Sequence, residues 1–139
     1  KMTFKIGKVK FSKNRVVNRS VLIDKSGKVR TYYDKIHMYD VNLSKKEKYF
    51  ESKSFSPGNK VKTFNLPWGK IGLTICYDLR FPILYRKLAK AGSLFLTVPS
   101  AFTETTGKKH WHSLLKARAI ENFCYVFAPA QGGTHYNGR

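Results

Sequence analysis

The stretch from Gly69 to Pro82, Gly-Lys-Ile-Gly-Leu-Thr-Ile-Cys-Tyr-Asp-Leu-Arg-Phe-Pro, narrows the folds open to this chain more than any other. Ile71, Leu73 and Ile75 alternate with smaller residues, Pro67 and Gly69 punctuate the start, and Pro82 suits the first turn of a following helix. The order is strand, sharp corner, helix. Cys76 sits at the corner. A thiol at the carboxyl end of a strand and beside a helix N-terminus meets unpaired N–H groups and a positive dipole end, which favour a nucleophilic thiolate. The same place also suits a small buried cysteine ending a core strand, since free Cys is among the most buried residue types.

The flanking sequence extends this unit. Phe81 to Ala91 reads as a helix opened by Pro82 and closed by Gly92, and Leu94 to Val98 as an apolar strand, which together make a βαβ unit. Lys108 to Phe123 is a second helix, and Cys124 to Ala130 a further buried strand. In that second helix Trp111, Leu114, Leu115 and Arg118 fall on one stripe, with Glu121 three residues beyond Arg118. An ion pair is thereby aimed at the core, where such pairs often specify an arrangement without doing chemistry.

Upstream the pattern changes to antiparallel strands. Val16 to Ile23 and Val29 to Tyr33 are β-rich runs around Asp24-Lys-Ser-Gly-Lys28, a hairpin with Gly27 available for positive φ, and Thr3 to Phe11 pairs as a third strand. From Asp34 to Gly58 periodicity disappears, which predicts a loop of about 25 residues holding Lys35, His37, Asp40, Glu47 and Glu51. A loop that long in a compact domain is functional or disordered. A short strand from Val61 to Leu66 leads into the Cys76 strand. With 139 residues the chain buries one core, and no domain boundary is visible between residues 1 and 139.

The formal charge of +19 raises the question of a nucleic-acid or acidic-membrane partner. The excess is spread out: residues 1–62 carry 17 basic and 5 acidic side chains, and residues 63–139 carry 10 and 3. Much of it is Lys placed singly between apolar residues, as at Lys5, Lys8 and Lys10, the pattern of solvated strand faces. Trp68, Trp111 and most Phe residues sit in turns or apolar stripes instead of interleaving with Lys on one face. Cys76 and Cys124, 48 positions apart with no Cys-x-x-Cys, fit a reducing compartment, and a cytoplasmic location is the expectation. His37, His110, His112 and His135 form no metal-ligand spacing. Asn18-Arg-Ser20 and Asn42-Leu-Ser44 match the glycosylation triplet, a match common by chance.

Five motifs occur in order: Tyr33-Asp-Lys-Ile-His-Met-Tyr-Asp40; Phe50-Glu-Ser52 with Ser56-Pro-Gly58; Cys76-Tyr-Asp-Leu-Arg-Phe-Pro82; Pro99-Ser-Ala-Phe102; and Arg118-Ala-Ile-Glu-Asn122. From about Asn18 onward the chain resembles the carbon–nitrogen hydrolases of the nitrilase superfamily, in the branch of deaminated-glutathione amidases and omega-amidases. Pro99-Ser-Ala-Phe102 and Ala130-Gln-Gly-Gly-Thr-His135 lean toward the former.

The resemblance implies an α/β fold, part of an α-β-β-α sandwich of mixed sheets flanked by helices. It implies Cys76 as nucleophile, Lys35 as catalytic lysine and Glu51 as the glutamate that holds that lysine, with the Tyr77 backbone N–H as an oxyanion donor. Ser100, Ala101 and Phe102 become candidate substrate contacts, and Arg118 with Glu121 a structural pair. No metal or cofactor is implied. The implied partners are a small amide, acidic to suit the basic chain, and further copies of the protein. The reaction would pass through a Cys thioester and release ammonia.

No residue of this chain matches the family's general-base glutamate, which lies upstream of the first strand, nor the C-terminal segment that completes the second sheet. The resemblance thus implies a single incomplete domain over residues 1–139, an interior piece of a protein about twice as long, inactive by itself. A catalytically dead scaffold on the same fold and a basic nucleic-acid-binding module are the alternatives.

Overall fold

A computed structural model of the chain describes residues 3–12, 15–45 and 47–133. They form two compact units, residues 1–62 and 63–139. In the first, β1 (Thr3–Ser12), β2 (Arg15–Ile23) and β3 (Val29–Asp34) make an antiparallel meander in the order β1-β2-β3. The β2–β3 turn closes as its residues dictate. Asp24 Oδ1 accepts the Ser26 and Lys28 N–H groups at 2.9 and 3.1 Å, and Gly27 takes φ 83°. Alternation along β2 and β3 puts Ser20, Leu22 and Tyr33 on one face, where all three are buried.

The segment from Asp34 to Gly58 is not the continuous loop that its lost periodicity predicts. It contains a small hairpin, β4 (Asp40–Asn42) with β5 (Lys48–Phe50), followed by a 3₁₀ turn over Glu51–Lys53. Strands of three residues are too short to display a period of two, so only the register, Asp40 opposite Phe50, reveals them.

In the second unit β6 (Thr63–Leu66) runs antiparallel to β7 (Gly69–Leu73), while β7, β8 (Ser93–Thr97) and β9 (Tyr125–Phe127) are parallel. The parallel connections are α1 (Pro82–Lys90) and α2 (Glu104–Asn122), which pack on each other and on β8 and β9. Gly72 permits the close approach of α1: a Cβ there would lie 3.0 Å from Leu88 Cδ2 and 3.1 Å from Leu96 Cδ2. Leu79, Tyr85, Leu88, Leu96 and Val98 are fully buried in this core. On the opposite face the Phe95 ring stacks against Tyr125 and tilts onto Phe127, both more than half exposed.

Helix α2 starts four residues before its expected Lys108, because Gly107 does not interrupt it. Thr103 C=O accepts the Gly107 N–H at 2.7 Å, and Glu104 pairs with Lys108 one turn on. Along its stripe Trp111, Leu114 and Leu115 are only half-buried, whereas Arg118 and Asn122 are buried. The chain leaves α2 at Phe123, whose φ of 52° makes a left-handed C-cap.

Candidate active site

Lys35 follows β3 and is 3% exposed, so its ammonium needs a partner to compensate lost hydration. Glu51 supplies it: Lys35 Nζ donates to Glu51 Oε2 at 2.5 Å. The same oxygen accepts the Tyr39 N–H at 2.7 Å, and Oε1 accepts from Asn18 Nδ2 at 3.3 Å. The Lys35 main chain is held on both sides. Its N–H donates to the Asn18 carbonyl at 2.9 Å, and its carbonyl accepts the Gly58 N–H at 2.8 Å. Gly58 has to be glycine, because a Cβ would fall onto the Asp34 carbonyl, 2.8 Å from its carbon. Ser56 N–H completes the loop by donating to the Val16 carbonyl at 2.8 Å.

The β4–β5 hairpin sets where Glu51 sits. Glu51 N–H donates to the Tyr39 carbonyl at 3.3 Å, and Asp40 Oδ1 accepts the next amide, Ser52 N–H, at 3.0 Å. Hydrogen bonds from the Ser52 side chain and amide hold the Asp40 carboxyl below the usual carboxylate value.

In the second unit the carboxyl ends of the parallel strands are stitched together beyond the regular ladder. Thr74 N–H donates to Thr97 C=O at 3.1 Å, Cys76 N–H to Pro99 C=O at 3.0 Å, Val98 N–H to Phe127 C=O at 2.8 Å and Ser100 N–H to Pro129 C=O at 3.0 Å. That edge is where open α/β sheets bind ligands. Cys76 begins a short 3₁₀ turn, Cys76–Arg80, with φ 48°; it is half-buried and its thiol is free of any disulfide. Among the described residues only Cys76 and Phe123 are non-glycine residues at positive φ. A left-handed non-glycine residue costs on the order of 1–3 kcal/mol, and such strain gathers at functional sites. The expected helix N-terminus with unpaired amides is replaced by this turn, in which the Cys76 amide is already bonded to Pro99. What sets Cys76 apart is a left-handed backbone just beyond the end of a strand.

Asp78, fully buried, secures that turn. Its Oδ2 accepts the Ile75 N–H at 2.9 Å, while its own N–H donates to the Ile75 carbonyl at 3.1 Å. Cys76 and Tyr77 are thus spanned from both sides. The Tyr77 ring stands edge-on to Phe81 with centroids 5.5 Å apart. Below lies a buried relay in which Thr74 Oγ1 gives its single proton to Thr97 C=O at 2.7 Å and so accepts the Tyr85 hydroxyl at 2.7 Å. Burial pushes the Tyr85 phenol far up from its ordinary value, so it stays a donor.

Arg118 NH1 donates to Glu121 Oε1 at 2.8 Å, and Arg118 Nε to the Leu79 carbonyl at 3.0 Å. Ser100 is buried with its hydroxyl donated to the Val98 carbonyl at 3.0 Å, Ala101 is exposed, and Phe102 packs on Trp111 with centroids 4.7 Å apart. Cys124 is buried, with the Ser93 and Asn122 carbonyls 3.0 and 3.2 Å from Sγ to accept its single thiol proton. Asn18, Gly58 and Asp78 were assigned no role from sequence. Asp78 carried a signal, a short carboxylate two residues beyond a corner; Asn18 carried none beyond its triplet.

The family model for carbon-nitrogen hydrolases matches residues 1–139. The chain belongs to the carbon–nitrogen hydrolase family. Among relatives, it is 47% identical over 127 residues to the deaminated glutathione amidase of Synechocystis, covering 90% of this chain and 47% of that protein. Among solved structures, the NitFhit protein of C. elegans superposes with a TM-score of 0.83 at 42% identity over 91% of this chain and 31% of that one. Nit3 of Saccharomyces cerevisiae, a member of the nitrilase superfamily, superposes with a TM-score of 0.76 at 33% identity over 89% of this chain and 42% of that one. The carbon–nitrogen hydrolase chain thus has the nitrilase fold, with antiparallel sheets in the first unit and a mixed sheet carrying two helices in the second. It spans less than half the length of the curated relatives it matches. No helix among the described residues is long and apolar enough to cross a membrane.

Proposed function

We propose that the whole protein hydrolyses the carbon–nitrogen bond of a small amide through a thioester on Cys76, releasing ammonia and a carboxylic acid. The observation that carries this reading is Cys76 itself: a half-buried thiol at the end of a parallel strand, held in a left-handed conformation by Pro99 and Asp78. In this reading the thiolate attacks the amide carbon and a tetrahedral oxyanion forms. The Lys35 ammonium supplies the positive charge that the oxyanion requires, with Glu51 fixing its direction. Collapse expels ammonia, and water then cleaves the thioester to the acid. The general base for these proton transfers is proposed to come from a glutamate outside residues 1–139.

The relatives named deaminated glutathione amidase support a substrate that is the ω-amide of a 2-oxo acid or a similar monoamide carrying a carboxylate. The chain's net charge of +19 would speed the arrival of such anions. Assembly into homo-oligomers and a cytoplasmic location belong to the same proposal.

An ammonia-release screen of the whole protein across ω-amides and dicarboxylic monoamides, with Cys76→Ala alongside, tests the reading. Release by the parent and none by Cys76→Ala is expected. Equal release by both would overturn it.

A further inference from the structure

Asn18 lies at the centre of β2 and touches both members of the buried Lys35–Glu51 pair. Its main-chain carbonyl accepts the Lys35 N–H at 2.9 Å, and its side-chain Nδ2 donates to Glu51 Oε1 at 3.3 Å. Glu51 Oε2 in turn takes Lys35 Nζ and the Tyr39 N–H. The bonds close a ring: Lys35 backbone to Asn18, Asn18 amide to Glu51, Glu51 carboxylate to Lys35 ammonium. A carboxylate only accepts, so the atom facing Glu51 must be the amide nitrogen, and aspartate in the same shape would present an oxygen there instead.

Without Asn18 the carboxylate would be held by Oε2 alone and could rotate about it, carrying the ammonium with it. An ammonium on a flexible four-carbon stem has no orientation of its own. Stabilising an oxyanion demands a donor within a few tenths of an ångström of one position.

We infer that Asn18 is a positioning residue for Lys35, setting the Glu51 carboxylate and through it the direction of the ammonium. The inference rests on the proposed amide hydrolysis, in which that ammonium faces the oxyanion. Three consequences separate it from a role in strand packing. Loss of the amide donor acts on charge that develops in the transition state, so kcat falls while KM holds. Any residue at position 18 keeps the carbonyl that binds Lys35, so the effect belongs to the side chain. A carboxylate at this place sets two acceptors against each other, so Asn18→Asp must cost more than Asn18→Ala.

The test compares the whole protein with Asn18→Asp and Asn18→Ala, measuring ammonia release from its best amide across pH, with Cys76→Ala as the chemical control. Both Asn18 variants are expected to lose about 10- to 100-fold in kcat with little change in KM, the scale seen when a group orienting a functional side chain is removed. Asn18→Asp, which sets a second carboxylate against Glu51 where the amide donated, should lose more kcat than Asn18→Ala. Should Asn18→Asp fail to fold, the kcat and KM of Asn18→Ala decide. Parent-like kcat in the Asn18 variants, with Cys76→Ala inactive, would overturn the inference and leave the proposed reaction standing. Undiminished turnover by Cys76→Ala would instead overturn the reaction.

Discussion

Arg118 Nε donates to the Leu79 carbonyl across 3.0 Å and 39 positions of sequence, so a buried side chain of α2 holds the turn that begins at Cys76. Its other arm pairs with Glu121, and its guanidinium lies 5.5 Å from the centre of the Tyr85 ring. Arg118 thus joins α2, α1 and the Cys76 turn.

Truncating it to Arg118→Ala removes the donor from a buried carbonyl and strands Glu121, whose side chain is 35% exposed and so still partly hydrated. The expected loss is about 2–3 kcal/mol, below the full cost of breaking a wholly buried pair. Chemical denaturation at constant m-value measures it. A loss under about 0.5 kcal/mol would mean that the turn does not depend on α2.

The two thiols should differ in reactivity. Cys76 is half-buried on a strained turn, whereas Cys124 is buried, has two carbonyls within reach of its one proton and has its thiol pushed up by burial. Alkylation of folded protein at neutral pH, mapped by mass spectrometry, is expected to modify Cys76 first. Faster labelling of Cys124 would refute the assignment.

Lys35→Arg keeps the charge but spreads it over a planar fork in a buried position where the ammonium already meets Glu51. In the whole protein it should cost about 10²-fold or more in kcat. Near-normal turnover would make Lys35 a structural residue.

The Asp40 carboxylate, held below its ordinary value by Ser52, offers a titration with a defined sign. A folded value below the unfolded one means that the bond's contribution is complete above the ordinary carboxylate range and is lost as pH falls through the lowered folded value. The Ser52 amide chemical shift, followed by NMR on acidification, should show a midpoint lower than that of a free aspartate. A midpoint at or above the free value would show that the carboxylate is not engaged with Ser52.

On the proposal that the general base lies outside residues 1–139, those residues expressed alone should turn over amides at least about 10²-fold more slowly than the whole protein, the scale of general acid–base catalysis, since Glu51 is paired with Lys35. Side-by-side ammonia assays measure the ratio. Comparable rates would put the base within this chain, with Glu51 and Glu121 the first candidates.

Much of the framework was legible in the sequence, because its signals are local. Asp24 and Gly27 determined the β2–β3 turn, Pro82 and Gly92 bracketed α1, and the ordered motifs determined the family. The β4–β5 hairpin was not legible, since three-residue strands carry no period. Nor was the strain at Cys76, which arises where the chain just beyond β7 is bonded to Pro99 and Asp78. The clearest division falls at Lys35. Its residue type and motif singled it out among 20 lysines, but its surroundings depend on Asn18, Glu51 and Gly58, brought to it from 17, 16 and 23 positions away. Hydrogen bonds over such separations exist only once strand register and loop closure have placed their partners, and no pattern within a few residues of the chain encodes them.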